Sequence, residues 1–213
     1  MQRLRIRFNR GTELKFLSHL DSMRLWERAF RRAGIPLAYS EGFTPHPRIS
    51  LALPLSVGMT SEAEIMDVFI SRWIQPQSFI SQVKGQLPQG IAILDVSLIG
   101  LEEPSLQSQV CSIEYKVELE TDMKAQEIES AIKKLLSAQE IPWQHLRDTG
   151  ARNYDLRPLV DDLWFIEQHD SLCLLGMRLN SGNRGTGRPE QVTRALGFSK
   201  HPRNIHRTRL LLS

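Results

Sequence analysis

A chain of 213 residues that is 41% apolar and 24% charged can fill one large core, or two cores of roughly 100 residues each. Its apolar runs are short and broken by proline, as in Ile49-Ser-Leu-Ala-Leu-Pro-Leu-Ser-Val57, and Met1-Gln-Arg-Leu-Arg-Ile-Arg7 has no apolar leader; a membrane helix and a secretory signal are excluded, and a cytoplasmic protein with no membrane partner is expected. The net charge of +3 hides a split: residues 1–50 carry 10 Lys and Arg against 4 Asp and Glu, residues 51–150 carry 7 against 14, and residues 151–213 carry 10 against 6.

Leu4-Arg-Ile-Arg-Phe8 alternates apolar and basic residues with period two, which predicts a strand with one buried face, ended by Gly11-Thr12. Ser18 with Asp21 three residues later is the Ser-x-x-Asp form of a capping box, and Gly34 followed by Pro36 closes the far end, predicting a helix over 18–33. Met23, Trp26, Phe30 and Ala33 form its buried stripe, while Arg24, Arg28, Arg31 and Arg32 lie off it as a basic face. Strands follow at 37–40 with 49–53 and at 64–70, then a helix over 75–87 signalled by Pro76, then a strand over 91–98. The order βαββαβ is that of a ferredoxin-like domain, an antiparallel sheet with two helices on one face.

Residues 101–108 read as a linker, after which the pattern recurs. A strand at 111–119 and a helix at 123–138 precede strands near 143–145, 164–167 and 172–178, a short proline-led helix at 189–196 and a last strand at 205–212. The expected fold class is α+β, with two tandem ferredoxin-like domains of antiparallel sheets, residues 1–100 and 109–213; one larger α+β domain is the alternative.

The densest polar detail lies between Phe16 and Pro47. His19 and Asp21 leave the first turn of the predicted helix, where Asp21 serves either as a cap or as a general base, and where unpaired N–H groups suit an anion. Pro45 and Pro47 bracket His46 and stiffen the loop that presents it, so His19, Asp21 and His46 are the candidate acid–base residues. Tyr39 and Phe43 are suited to stacking on a base or to a core; with Glu41, at a Glu-Gly turn, and Arg48 they form the candidate substrate-binding set. Arg24, Arg28 and Arg31 make either a phosphate-contacting face or a solvated one in which Glu27 pairs with Arg31, and Arg3, Arg5 and Arg7 on the first strand extend the phosphate reading.

In the second half, Asp155-Leu-Arg-Pro158 reads equally as a further ligand contact or as an internal salt bridge that fixes a loop. Ser181-Gly-Asn-Arg-Gly-Thr-Gly-Arg188 is glycine-rich, holds Arg184 and Arg188 and feeds a helix N-terminus; it is a phosphate cradle or a surface loop, without the Lys-Ser/Thr ending of a P-loop. Cys111 and Cys173 are too few for a disulfide scaffold or a cluster, and no His-Glu-x-x-His spacing occurs, so no metal is expected in this chain.

Phe16-Leu-Ser-His-Leu-Asp21, Glu27-Arg-Ala-Phe-Arg-Arg-Ala-Gly34, Ser40-Glu-Gly-Phe-Thr-Pro-His-Pro47 and Leu53-Pro-Leu-Ser-Val-Gly58 closely resemble the motifs of the radical-SAM-linked protein family. Tyr154-Asp-Leu-Arg-Pro158 and Arg188-Pro-Glu-Gln-Val192 are similar to its later motifs. That family is a bacterial domain of unknown function found fused to, or beside, a radical-SAM protein, so the resemblance implies such a protein as partner. The iron–sulfur cluster and S-adenosylmethionine would then belong to the partner, because this chain lacks the Cys-x-x-x-Cys-x-x-Cys ligand set. The leading expectation is a non-catalytic module that recognises RNA or a ribosome-related component for that enzyme. Two alternatives stand beside it: an RNA-processing or RNA-modifying enzyme with His/Asp acid–base chemistry, and a protein-binding adaptor. Tandem ferredoxin-like domains also occur in RNA-processing nucleases and some pseudouridine synthases, an analogy at the level of fold.

Overall fold

The alternating segment at the start of the chain is strand β1 (Gln2–Arg10), which sends Leu4, Ile6 and Phe8 into a core between a sheet and two helices. The structure, a computed structural model, describes residues 1–147, 150–182 and 185–213 and divides into two units, Met1–Val110 and Cys111–Ser213. In the first unit β1 is followed by α1 (His19–Arg32), β2 (Ile49–Leu51), β3 (Thr60–Ile70), α2 (Pro76–Lys84), β4 (Ile93–Ile99) and the short α3 (Leu106–Gln109). β1 pairs antiparallel with β3 on one side and β4 on the other, and β2 pairs antiparallel with β3, giving the order β4-β1-β3-β2.

Helix α1 forms where its sequence signals place it. Ser18 caps it, and the chain leaves through Gly34 at φ 68°, with Ile35 N–H donating to Phe30 O at 3.0 Å. That bond and the left-handed glycine are the usual way to satisfy the last carbonyls of a helix. Trp26 and Phe30 are fully buried and join the two helices to the sheet through a ring chain: Phe8 to Trp26 at 4.8 Å, Trp26 to Phe30 at 5.4 Å and Phe30 to Phe79 of α2 at 5.7 Å.

The other face of β1 departs from the expectation of a basic face turned to a phosphate ligand. Arg3 is 3% exposed and Asp67, which stands opposite Arg5 in the β1–β3 register, is 1% exposed. Arg3 donates to Asp67 Oδ2 through Nε at 3.0 Å and a terminal nitrogen at 2.6 Å, and Arg5 grips both oxygens at 2.8 and 3.0 Å. The remaining donors of Arg3 reach the carbonyls of Glu103 and Pro104 at 2.6 and 2.8 Å, and Arg5 reaches Gln109 at 3.1 Å. Residues 101–108, expected as a linker, are thus tied to the first unit. Two guanidiniums that read as a ligand face instead hold one buried carboxylate and one chain segment, because a desolvated charge requires a partner.

A second correction concerns 37–40, predicted as a strand. Leu37 bridges Ile70 and Ala38 N–H donates to Phe69 O at 2.8 Å, after which the chain leaves the sheet and returns at Arg48, whose carbonyl accepts from Phe69 N–H at 2.9 Å. Residues 39–47 are a finger standing off the edge of β3.

The second unit holds β5 (Val110–Glu120), α4 (Ala125–Ser137), β6 (Pro142–Arg147), β7 (Gly150–Asp155), β8 (Val160–His169), β9 (Leu172–Gly182), β10 (Gly185–Thr186), α5 (Pro189–Ala195) and β11 (Asn204–Leu212). β9 pairs antiparallel with β5 and β8, β10 extends the outer edge of β9, and β11 lies on the other side of β5. With the β6–β7 hairpin set apart as its own two-stranded sheet, the order is β8-β9-β5-β11. Each unit therefore lays down its four main strands as fourth, first, third, second. The strand predicted near 143–145 belongs to the inserted hairpin and not to the main sheet. Trp164 lies across Gly176 so closely that an added Cβ there would sit 2.0 Å from the indole ring. Cys173 is buried on β9, and desolvation pushes its thiol up to about 11, well away from reactivity at neutral pH.

The chain is mixed α+β with antiparallel sheets, and no described helix is long and apolar enough to cross a membrane. Replacing Asp67 by Ala leaves two largely buried guanidiniums unpaired and is expected to lower stability by about 3–5 kcal/mol in urea unfolding. Arg31→Ala, which removes a surface pair to Glu27, is expected to change it by less than about 0.5 kcal/mol.

Candidate functional site

The first turn of α1 is organised by Ser18. Its Oγ accepts from Asp21 N–H at 3.2 Å and donates to Asp21 Oδ2 at 2.7 Å, while the other carboxylate oxygen lies 3.5 Å from the Arg24 guanidinium. Asp21 is thus engaged in the cap and in a surface ion pair. His19 is exposed beside it.

From that turn a stripe runs down α1. Leu17, just ahead of the cap, and Asp21, Arg24, Leu25, Arg28 and Arg32, on neighbouring turns of α1, face a segment at 85–88 that follows α2, and between them lies a cleft of about 590 Å³. Leu17, Leu25, Leu87 and Pro88 give it an apolar lining, and Arg24, Arg28 and Arg32 give it positive charge, with Asp21 the one carboxylate among its lining residues. Arg32 is held against the far wall by a 2.8 Å bond to Gln86 O. Arg31, predicted with this set, is not among the lining residues and closes on Glu27 at 2.7 Å; Arg32 takes its place. The segment at 85–88 was not singled out by sequence reasoning, because nothing local in Gly-Gln-Leu-Pro says which helix it will face.

Phe16 and Leu20, adjacent in sequence to this stripe, are 73% and 65% exposed, and Lys15 Nζ lies 5.0 Å from the Phe16 ring centre.

The finger gathers the rest of the predicted set. Tyr39 bridges Pro47, Ser40 N–H donates to His46 O at 2.9 Å, and His46 N–H donates to Ser40 Oγ at 3.0 Å, so the base is ordered by backbone and hydroxyl bonds. Gly42 turns the tip at φ 117°. Glu41 and His46 are exposed, Tyr39 is 50% exposed and Phe43 entirely so, which removes both aromatics from the core reading. The Arg48 guanidinium carbon lies over the Phe69 ring, 4.1 Å from its centre, at the foot of the finger.

The structure does not bring the three acid–base candidates to one element or one end of the unit. The chain segment leading to His19 and Asp21 leaves the sheet at Arg10, opposite Ser61, whereas the finger carrying His46 is rooted at Phe69. Those anchor points are eight residues apart on β3, about 26 Å at the rise of a strand. Among the described residues no group of three or more His, Cys, Asp or Glu is placed to hold a metal.

In the second unit the later motifs have structural partners. Asp155 accepts from Ile141 N–H at 2.7 Å and Arg157 N–H at 2.9 Å, and Arg157 donates to Val160 O and Leu136 O at 2.6 and 2.9 Å. The pair fixes a loop through backbone groups, not through the expected salt bridge. In the glycine-rich segment, Gly185 and Thr186 pair with Gly182 and Ser181, and Gly187 N–H donates to Asn180 O at 3.0 Å, so these residues belong to a hairpin. Arg188 is exposed ahead of the short α5; Arg184 lies outside the described residues.

Comparison with known proteins adds a family and a fold. A family described as an uncharacterized protein conserved in bacteria, DUF2344, matches residues 3–189. No curated protein matches the chain. Among solved structures, a Cbf5-Nop10-Gar1 complex is similar over 97% of this chain with a TM-score of 0.55 at 12% identity. An H/ACA RNP bound to a substrate RNA containing 2'-deoxyuridine gives 0.52 at 12% identity, and an archaeal box H/ACA sRNP Nop10-Cbf5 complex gives 0.50 at 11%. This chain spans 48% or 47% of the length of those chains, and at such identity the likeness is one of fold.

Two substitutions separate the structural residues of this region from the presented ones. Ser18→Ala is expected to cost about 1 kcal/mol in chemical unfolding through loss of the cap. Phe43→Ser, at the exposed tip, is expected to change stability by less than about 0.5 kcal/mol.

Proposed function

We propose that this chain, which belongs to the DUF2344 family of uncharacterized proteins conserved in bacteria, is a non-catalytic RNA-recognition module that serves a radical-SAM enzyme. The observation that carries the reading is the cleft beside α1, lined by Arg24, Arg28 and Arg32 together with Leu17, Leu25, Leu87 and Pro88, with one carboxylate among them. Planar guanidiniums repeated at one helical turn match the spacing and geometry of successive phosphates, and apolar side chains between them accept the faces of sugars or bases. Exposed Phe16 at the mouth of the stripe, and Tyr39 and Phe43 on the finger, offer stacking surfaces of the kind that hold unpaired bases.

Recognition is favoured over catalysis by the state of the candidate acid and bases. Asp21 is committed to Ser18 and Arg24, and His46 is rooted at the opposite end of β3 from it. General acid–base chemistry needs each such group within hydrogen-bond reach of the proton it transfers on one bound substrate.

The order fourth, first, third, second supports reading both units as ferredoxin-like, the second with the β6–β7 hairpin inserted. RNA is named for the H/ACA RNP of similar fold and is extended to this chain as part of the proposal. The radical-SAM partner rests on the motif resemblance, with the exposed Cys111 and buried Cys173 too few to hold a cluster here.

The test is binding of the purified chain to small single-stranded RNAs across a salt series. Affinity is expected to fall steeply with salt, and Arg24→Ala/Arg28→Ala is expected to weaken binding at least about tenfold and flatten the slope of log K against log salt by about 1.4, two phosphate contacts' worth. Binding that is absent at low salt, or indifferent to the double change, contradicts the reading.

A further inference from the structure

Strand β4 ends the sheet of the first unit: among the described residues it is bonded to β1 on one side. Its sequence, Ile93-Leu-Asp-Val-Ser-Leu-Ile99, has few of the usual guards of an open edge, with no Lys, Arg or Pro and the single charge of Asp95. Leu94 and Leu98 are 52% and 59% exposed. Residues 95–99 run in unbroken register with β1, from Asp95 opposite Arg7 to Ile99 opposite Arg3, so that stretch is a regular template; the one irregularity lies between Arg7 and Phe8, beside Leu94.

The sequence of this edge is nearly the same read from either end, centred on Val96. We infer that β4 is a self-association edge, which pairs antiparallel with β4 of a second copy of this chain about a two-fold axis at Val96. In that register Leu94 meets Leu98 and Asp95 meets Ser97 of the second copy; Ile93, opposite Phe8, and Ile99, opposite Arg3, lie on different faces of the sheet and take no part. Each exposed leucine finds a leucine, each carboxylate finds a hydroxyl donor, and no like charges are opposed. Moving the axis one residue, onto Asp95, sets the two carboxylates against each other, so the charge pattern disfavours that register. An edge shaped for an unrelated strand has no need of this symmetry. The pairing is narrow, and its affinity belongs to the weak class, about micromolar or weaker.

Sedimentation analysis of the full chain over a concentration series is expected to show a reversible equilibrium between the 24.4 kDa monomer and a species of twice that mass. Ser97→Asp places a carboxylate opposite Asp95 at two symmetric positions and is expected to weaken the dimer about three- to thirtyfold, whereas Ser97→Lys is expected to tighten it by a similar factor. Circular dichroism of both variants checks that the monomer fold is kept. Opposite responses to opposite charges support the pairing. A monomer at every concentration up to about millimolar, or a dimer indifferent to both changes, overturns it.

Discussion

The carboxylate of Asp67 accepts hydrogen bonds from both Arg3 and Arg5, and the first unit is arranged around that contact. A strand reading Leu-Arg-Ile-Arg-Phe puts its apolar residues on one face and its guanidiniums on the other, and a guanidinium face is ordinarily left to water. Here β3 presents an acid directly opposite Arg5, and the charge is neutralised inside the protein. The carbonyls of Glu103 and Pro104 take the donors that remain on Arg3, so the chain folds over this face while α1 and α2 cover the other. Replacing one partner alone leaves buried charge uncompensated, which is why the cluster behaves as a unit.

That arrangement decides which arginines are left to meet a ligand. The sequence offers a basic helix as a phosphate candidate and a basic strand as its extension; the strand's Arg3 and Arg5 are internal, and the helix's Arg24, Arg28 and Arg32 line a cleft. The ring chain from Phe8 through Trp26 and Phe30 to Phe79 sets the rotation of α1 on the sheet, so the burial of one stripe and the exposure of the basic one are the same physical fact.

Local signals explain what was legible in the amino-acid sequence. Ser18 with Asp21 and Gly34 with Pro36 bound α1 because caps and stops act within a turn of where they stand, and Trp26 and Phe30 lie where the helical period puts them. Strands with simple alternation, such as β5, were equally plain. The rest depends on contacts between distant residues. Arg3 meets Asp67 across 64 positions and Arg32 meets Gln86 across 54, and no local pattern encodes either. The base of the finger at 39–47 reads as a strand because Leu-Ala-Tyr has the composition of one, while the pairing that defines it is shared between Ala38, Phe69 and Arg48. The hairpin β6–β7 was half seen, since an inserted pair of strands has the same local chemistry as a sheet member.

The proposal that RNA is held in the α1 cleft is tested by hydrogen exchange of the chain with and without a bound single-stranded RNA. Protection concentrated in 17–32 and 85–88 is the predicted result. Protection confined to other segments, with those two unchanged, contradicts it.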